Sequence, residues 1–170
     1  MQNIGLLTKN RRRVFIIRFA KREELERVNQ IRKQVNELHA NGRPDICKKD
    51  FSKEMQEGIY SLWESDDCDV LVAIRNDIIC GFASVEYIDK PSSPYMNARR
   101  YYHVKEFGVD EKFRRQKIAT ELFEFIKKQA KERNFDKLEL DVFEFNEGAV
   151  KFYESIGFCT YRRYMEYEYK

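Results

Sequence analysis

A chain of 170 residues with 42% hydrophobic and 14% aromatic side chains can bury one core, which excludes a disordered chain in spite of its 36% charged residues. Thirty-two lysines and arginines against 29 aspartates and glutamates leave +3 with the signs interspersed, so the one-sided basic surface of a nucleic-acid binder is not expected. The four cysteines, Cys47, Cys68, Cys80 and Cys159, form no close pair and have only His39 and His103 as imidazole company, which argues for reduced thiols and no metal site.

Residues 1–13 are expected to be an extended lead-in to a single domain spanning 1–170. The apolar stretch Ile4–Leu7 is too short for a signal peptide or membrane span, and Arg18 interrupts Val14–Ala20, so a cytoplasmic protein with no membrane partner is expected. Val14-Phe15-Ile16-Ile17 reads as a strand, and Leu25, Val28, Ile31, Val35 and Leu38 follow at helical spacing. The turn cluster Asn41–Asp45 ends that helix, and Phe51, Met55, Ile59 and Leu62 mark a second one that Gly58 weakens.

Val70–Ile74 and Ile78–Val85 flank Arg75-Asn76-Asp77, where Asn and Asp tolerate left-handed backbone, so a β-hairpin is predicted. Asp89–Arg100, with Pro91 and Pro94, reads as an exposed loop. Tyr101–Val109 resumes strand character, a basic link follows, and Ala119, Leu122, Phe123, Ile126 and Ala130 form the stripe of a third helix. Leu138, Leu140 and Val142 alternate as a strand, Asn146 can cap a short helix that Gly157 ends, and Phe158 onward alternates into a last strand. The tyrosines of that strand, Tyr161, Tyr164, Tyr167 and Tyr169, would give an aromatic edge through which two copies could form a homodimer.

Where a strand feeds a helix through a tight turn, the first helical N–H groups are unpaired and face the positive end of the dipole, a setting that binds phosphate. Here Arg114, Arg115 and Lys117 crowd such a helix start, a conflict that a bound polyanion would relieve, although the same cations can equally be solvated link residues. Val109–Ala119, with Arg114, Ile118 and Ala119 in register, resembles the acetyl-CoA-binding motif Arg/Gln-x-x-Gly-x-Gly/Ala of the GCN5-related N-acetyltransferases. Lys117 stands where the family has its first glycine. Asn146–Phe158 resembles the family's second signature, Asn-x-x-Ala-x-x-Phe-Tyr-x-x-x-Gly-Phe, at nearly every position.

The resemblance implies an α/β (α+β) fold: a mixed, mostly antiparallel sheet with helices on both faces, split open between the strand ending near Val109 and the strand Leu138–Phe145. It implies acetyl-CoA as acyl donor and a primary amine as acceptor, on a small molecule, a peptide N-terminus or a lysine, with direct transfer in a ternary complex. The backbone of Phe107 and Val109 would hold the pantetheine arm, Arg114, Arg115, Gln116, Lys117, Ile118, Ala119 and Thr120 the pyrophosphate, and Asn146 the far side of the cofactor. The segments His39–Asp50 and Asp89–Arg100 would border the acceptor.

Transfer from a thioester to an amine calls for two proton-handling groups. Tyr153 matches the family's tyrosine at the cofactor sulfur, and a phenol keeps its proton at neutral pH; its helical spacing from Val150 and Ile156 by itself favours a core tyrosine, and the signature around it favours the functional role. Glu106 is the candidate base, since a carboxylate beside apolar neighbours is a better proton acceptor, and simple alternation puts it on the face of Tyr102 and Val104 with His103 on the other. A silent coenzyme A-binding sensor of the same fold is the alternative, suggested by Lys117. An RNA-binding reading rests on Arg11-Arg12-Arg13, Arg99-Arg100 and Arg162-Arg163, which are too scattered to form one patch.

Overall fold

Phe15–Phe19 forms β1, held antiparallel against β2 (Cys68–Arg75) by the pairing of Phe15 with Arg75 through Phe19 with Leu71. The computed structural model describes residues 15–169, so the expected lead-in at 1–13 lies outside the described residues. The predicted hairpin forms with Arg75 inside β2, so Asn76 (φ 50°) and Asp77 (φ 64°) alone turn the chain into β3 (Ile78–Lys90), the left-handed pair that lets a short hairpin follow the twist of its strands.

β3 and β4 (Arg99–Val109) pair antiparallel from Gly81–Val109 to Lys90–Arg99, so the loop expected over Asp89–Arg100 shrinks to 91–98. Cross-strand contacts explain the extension: Asp89 reaches Arg100 at 3.5 Å, and Lys90 and Arg99 both lie over the Tyr101 ring. β5 (Lys137–Leu140) adds parallel to β4, giving a five-stranded sheet in the order β1-β2-β3-β4-β5. It is mixed and mostly antiparallel, as the fold class requires.

Helices cover both faces. Leu25, Val28 and Ile31 of α1 (Leu25–Gly42) and Ile59 of α2 (Lys53–Glu64) bury against Val70, Val72 and Phe82 on one face. Ile118 of α3 (Ile118–Glu132) packs on Ala73 and Cys80 on the other, with Val109 and Phe113 beside it. Ser52 caps α2 by accepting from the Met55 N–H at 3.2 Å.

Contacts group the chain into two compact units, one ending at Leu140 and one beginning at Asp141. The second holds α4 (Glu147–Ser155), which starts where Asn146 Oδ1 accepts from the Ala149 N–H at 3.2 Å. It stops at Gly157 (φ 99°), where the Phe158 N–H turns back to the Tyr153 carbonyl at 3.0 Å. Two expectations fail here. The strand predicted to reach Phe145 ends at Leu140, and among the described residues nothing from Phe158 on is a strand. Alternation makes a strand only where a ladder partner accepts it, and Tyr164, Met165 and Tyr169 are instead largely exposed.

Candidate active site

β4 and β5 pair only from Tyr101–Lys137 to Val104–Leu140. Beyond that point β4 keeps β3 on one side and, among the described residues, has no strand on the other, so the expected split in the sheet lies along residues 105–109. The split begins at a β-bulge. Val104 faces Val85 and Glu106 faces Ser84, so Lys105 is an extra residue with no partner on β3.

That residue overturns the alternation argument. Tyr102 stacks on Phe135 at 5.3 Å and donates to Asp69, which also holds Arg133 at the end of α3. Phe107 shares that face, its ring 4.6 Å from Phe123 of α3. Glu106 points the other way, into α1, where Arg32 donates to both its oxygens at 2.8 and 2.7 Å. Glu106 therefore lies opposite Tyr102 and Val104 and shares its face with His103, the reverse of the expected arrangement.

Past Val109 the chain is fastened before it turns. Asp110, 3% exposed, caps the short turn Glu111–Phe113 by accepting from the Lys112 N–H at 3.0 Å, and its N–H donates to the Cys80 carbonyl at 2.9 Å. Arg27 of α1 pairs with its carboxylate. Burial works to raise the Asp110 pKa, but the hydrogen bonds from Arg27 and the Lys112 N–H prevail and hold it below the usual carboxylate value.

A depressed native pKa contributes stability that is complete above the ordinary value of about 3.9 and is lost as the pH falls through the native one. Asp110→Asn keeps the cap but loses the charge, so it should cost about 2 kcal/mol near neutrality. Urea unfolding of both proteins should show that gap narrowing below about pH 4.

The link then adopts two left-handed residues, Arg115 (φ 60°) and Lys117 (φ 63°), and Lys117 leads directly into α3. A side chain in that region costs about 1 kcal/mol, so Lys117 holds the conformation that a glycine would take freely. Lys117 makes no side-chain cap to α3, in contrast with Ser52 on α2 and Asn146 on α4. Arg114, Arg115, Gln116 and Lys117 are exposed around this start, while Ile118 is buried and Ala119 and Thr120 are half-buried. Arg75 braces the turn from the hairpin, donating to Gln116 Oε1 at 2.5 Å and to its carbonyl at 3.3 Å. The N–H groups of a helix start, its dipole and neighbouring cations are features that attract a polyanion.

The structure thus joins Phe107, Val109 and Arg114 to Thr120 into one continuous strand-turn-helix, with Glu106 beside them on the opposite face of β4. Asn146 and Tyr153 belong to the second unit. The Asn146 carbonyl oxygen is used as the cap of α4. Burial pushes the Tyr153 phenol up to about 12, and its ring lies 5.5 Å from that of Phe152 and 5.9 Å from that of Phe158.

On the expected acceptor side, a cleft of about 660 Å³ is lined by Lys33, Glu37, Lys49, Asp50 and Phe51, among others. Three residues of this region were not foreseen. Asp110 had a signal in its turn-opening Asp. Arg32 had a weaker one, a charge amid the buried stripe of α1, and Arg27 had none.

A family model, described as Acetyltransferase (GNAT) family, matches residues 32–158. The chain belongs to the GNAT acetyltransferase family. Among solved structures, a mutant of the BH1408 protein from Bacillus halodurans is 28% identical, with a TM-score of 0.87 over 91% of this chain and 99% of that one. The aminoglycoside N-acetyltransferase AAC(6')-Iy in complex with CoA is 15% identical, with a TM-score of 0.74 over 95% and 98% of the two chains. The aminoglycoside acetyltransferase meta-AAC0020 from an uncultured soil metagenomic sample is 18% identical, with a TM-score of 0.69 over 92% and 95%. The last two likenesses concern the fold alone. No curated protein matches the chain. No helix of this GNAT chain is long and apolar enough, among the described residues, to cross a membrane.

Proposed function

We propose that the protein is an acetyl-CoA-dependent N-acetyltransferase acting on a primary amine by direct transfer in a ternary complex. The observation that carries the reading is the start of α3: among the described residues it has no side-chain cap, left-handed Lys117 precedes it, and exposed cations surround it where β4 runs on past the end of its pairing with β5. Acetyl-CoA, when bound, supplies the thioester whose carbonyl the amine attacks.

In this reading the backbone of Phe107 and Val109 holds the pantetheine arm as a strand would. The N–H groups at Ile118, Ala119 and Thr120 hold the pyrophosphate with Arg114, Arg115 and Lys117, and Gln116 keeps the turn in shape through Arg75. Glu106 takes the proton of the attacking amine as the C–N bond forms, and Tyr153 protonates the sulfur as the C–S bond breaks. The acceptor is expected at the cleft by α1 and α2, and the aminoglycoside neighbours make amines of small molecules the first panel to try.

Calorimetric titration with acetyl-CoA, with pantetheine as the control lacking the pyrophosphate, tests the seat. Pantetheine should bind at least about 100-fold more weakly. Lys117→Gly should bind acetyl-CoA within about tenfold of the parent and with a flatter salt dependence, since a mobile exposed cation contributes a screened attraction. Equal affinity for the two ligands would remove the phosphate seat from the account.

One observation favours a second reading, a silent coenzyme A-binding sensor. Glu106 is engaged on both oxygens by Arg32, as in a structural ion pair. Tight acetyl-CoA binding together with buffer-level thiol release across the amine panel would select it.

A further inference from the structure

Arg32 is 8% exposed, and four of its five N–H donors are committed. Nε and Nη2 grip the two oxygens of Glu106 at 2.8 and 2.7 Å, and Nη1 reaches Asn29 Oδ1 and the Met55 carbonyl of α2, both at 2.7 Å. Asn29 in turn donates to the Gln56 carbonyl at 3.1 Å, and Gln56 donates to the Phe51 carbonyl at 3.2 Å. The Phe51 ring lies 5.5 Å from the guanidinium and also lines the α1–α2 cleft.

A planar guanidinium bonded through two nitrogens fixes the plane of the carboxylate as well as its position. The Glu106 side chain nevertheless remains 30% exposed, so its other lone pairs stay available. Across the ladder from it, the buried Ser84 hydroxyl has no hydrogen-bond partner among the described residues.

We propose that Arg32 is the positioning residue of the acceptor side. It holds the Glu106 carboxylate in one orientation and ties that orientation to the wall of the cleft through Asn29, Met55 and Phe51. The inference rests on the reading of Glu106 as the proton acceptor. Its prediction is specific: loosening Arg32 should impair acetyl transfer to basic amines, which reach the site as ammonium ions, and spare transfer to a nucleophile that arrives neutral and whose adduct is acidic enough to lose its proton to water.

The test compares Arg32→Lys, Asn29→Ala and Glu106→Gln with the parent, using the best amine of the panel and hydroxylamine, which is already neutral near pH 7. Arg32→Lys should lower kcat for the amine by about tenfold or more, since lysine keeps the charge but loses the two-point grip. Transfer to hydroxylamine and calorimetric acetyl-CoA affinity should stay within about twofold. In a Glu106→Gln background, Arg32→Lys should change the amine-to-hydroxylamine ratio no further.

Asn29→Ala, which leaves both bonds to Glu106 in place, should show the same selective loss in smaller measure and decides the matter if the Arg32 variant does not fold. A lowered Tm with an unchanged ratio in the folded variants overturns the proposal and leaves Arg32 a structural ion pair, with Glu106 still the base. Full amine turnover in Glu106→Gln, or no amine turnover by the parent, overturns the base reading and this inference with it.

Discussion

Tyr153→Phe is expected to lower kcat for amine acetylation by about 100-fold while leaving acetyl-CoA affinity within about twofold of the parent. The departing sulfur needs a proton when the C–S bond breaks, and a phenol is useful there only while it keeps its own. Burial pushes Tyr153 up to about 12, so the donor form persists well past the point near 10 where a solvated phenol ionises. The kcat profile of the parent should accordingly show no alkaline decline attributable to this group near about pH 10.

The linkage has the same sign. A native pKa raised above that of the unfolded chain contributes stability in full below about pH 10, lost as the pH rises through the native value. Steady-state kinetics across pH on both proteins checks the assignment. Unchanged turnover in the Phe variant would mean the sulfur leaves without that proton.

The second large effect concerns packing. A Cβ on Gly108 would stand 2.9 Å from Phe82 Cε1, 2.9 Å from Val35 Cγ2 and 3.2 Å from Ile31 Cγ2, and Phe82 and Ile31 are fully buried. None of these atoms can retreat without disturbing the seam between α1 and the sheet. Gly108→Ala should therefore cost about 2 kcal/mol and lower Tm by about 4–8 °C, despite the stiffening of the unfolded chain that alanine brings.

Gly58→Ala in α2 should go the other way by about 0.5–1 kcal/mol, because its Cβ would meet only Arg32 Nη2 at an ordinary 3.8 Å and a helix interior favours alanine. Calorimetric melts of the two variants side by side give opposite signs if the packing argument is right. Because Gly108 lies between Phe107 and Val109, its alanine variant should also bind acetyl-CoA less well.

These expectations rest on features that the amino-acid sequence discloses unequally. The hairpin was legible because Asn76 and Asp77 carry their turn chemistry locally, and α1 and α3 because a stripe at helical spacing needs no knowledge of its partner. The two signatures led to the strand-turn-helix, and Asn146 and Gly157 do bound α4.

What depends on a distant partner was hidden. Arg32 and Glu106 are 74 positions apart, and nothing local announces that they meet. Pro91 and Pro94 made a longer loop look natural than the ladder between Lys90 and Arg99 allows. Val142 and the alternating stretch after Phe158 have the composition of strands, yet among the described residues they form none.

The bulge at Lys105 was hidden for another reason: an extra residue changes no residue type around it, and it changes the phase of everything after it. The count of residues in β4, as much as their identity, decides which side chains meet α1 and which meet α3. Were Lys105 drawn into regular pairing, Glu106 and Phe107 would exchange faces, carrying a carboxylate toward Phe123 and a phenyl ring toward Arg32, whereas deleting Lys105 would remove the bulge and leave both on their present faces. The unpaired Lys105 thus sets Glu106 against α1 and Phe107 against α3, an offset that no substitution at either position supplies.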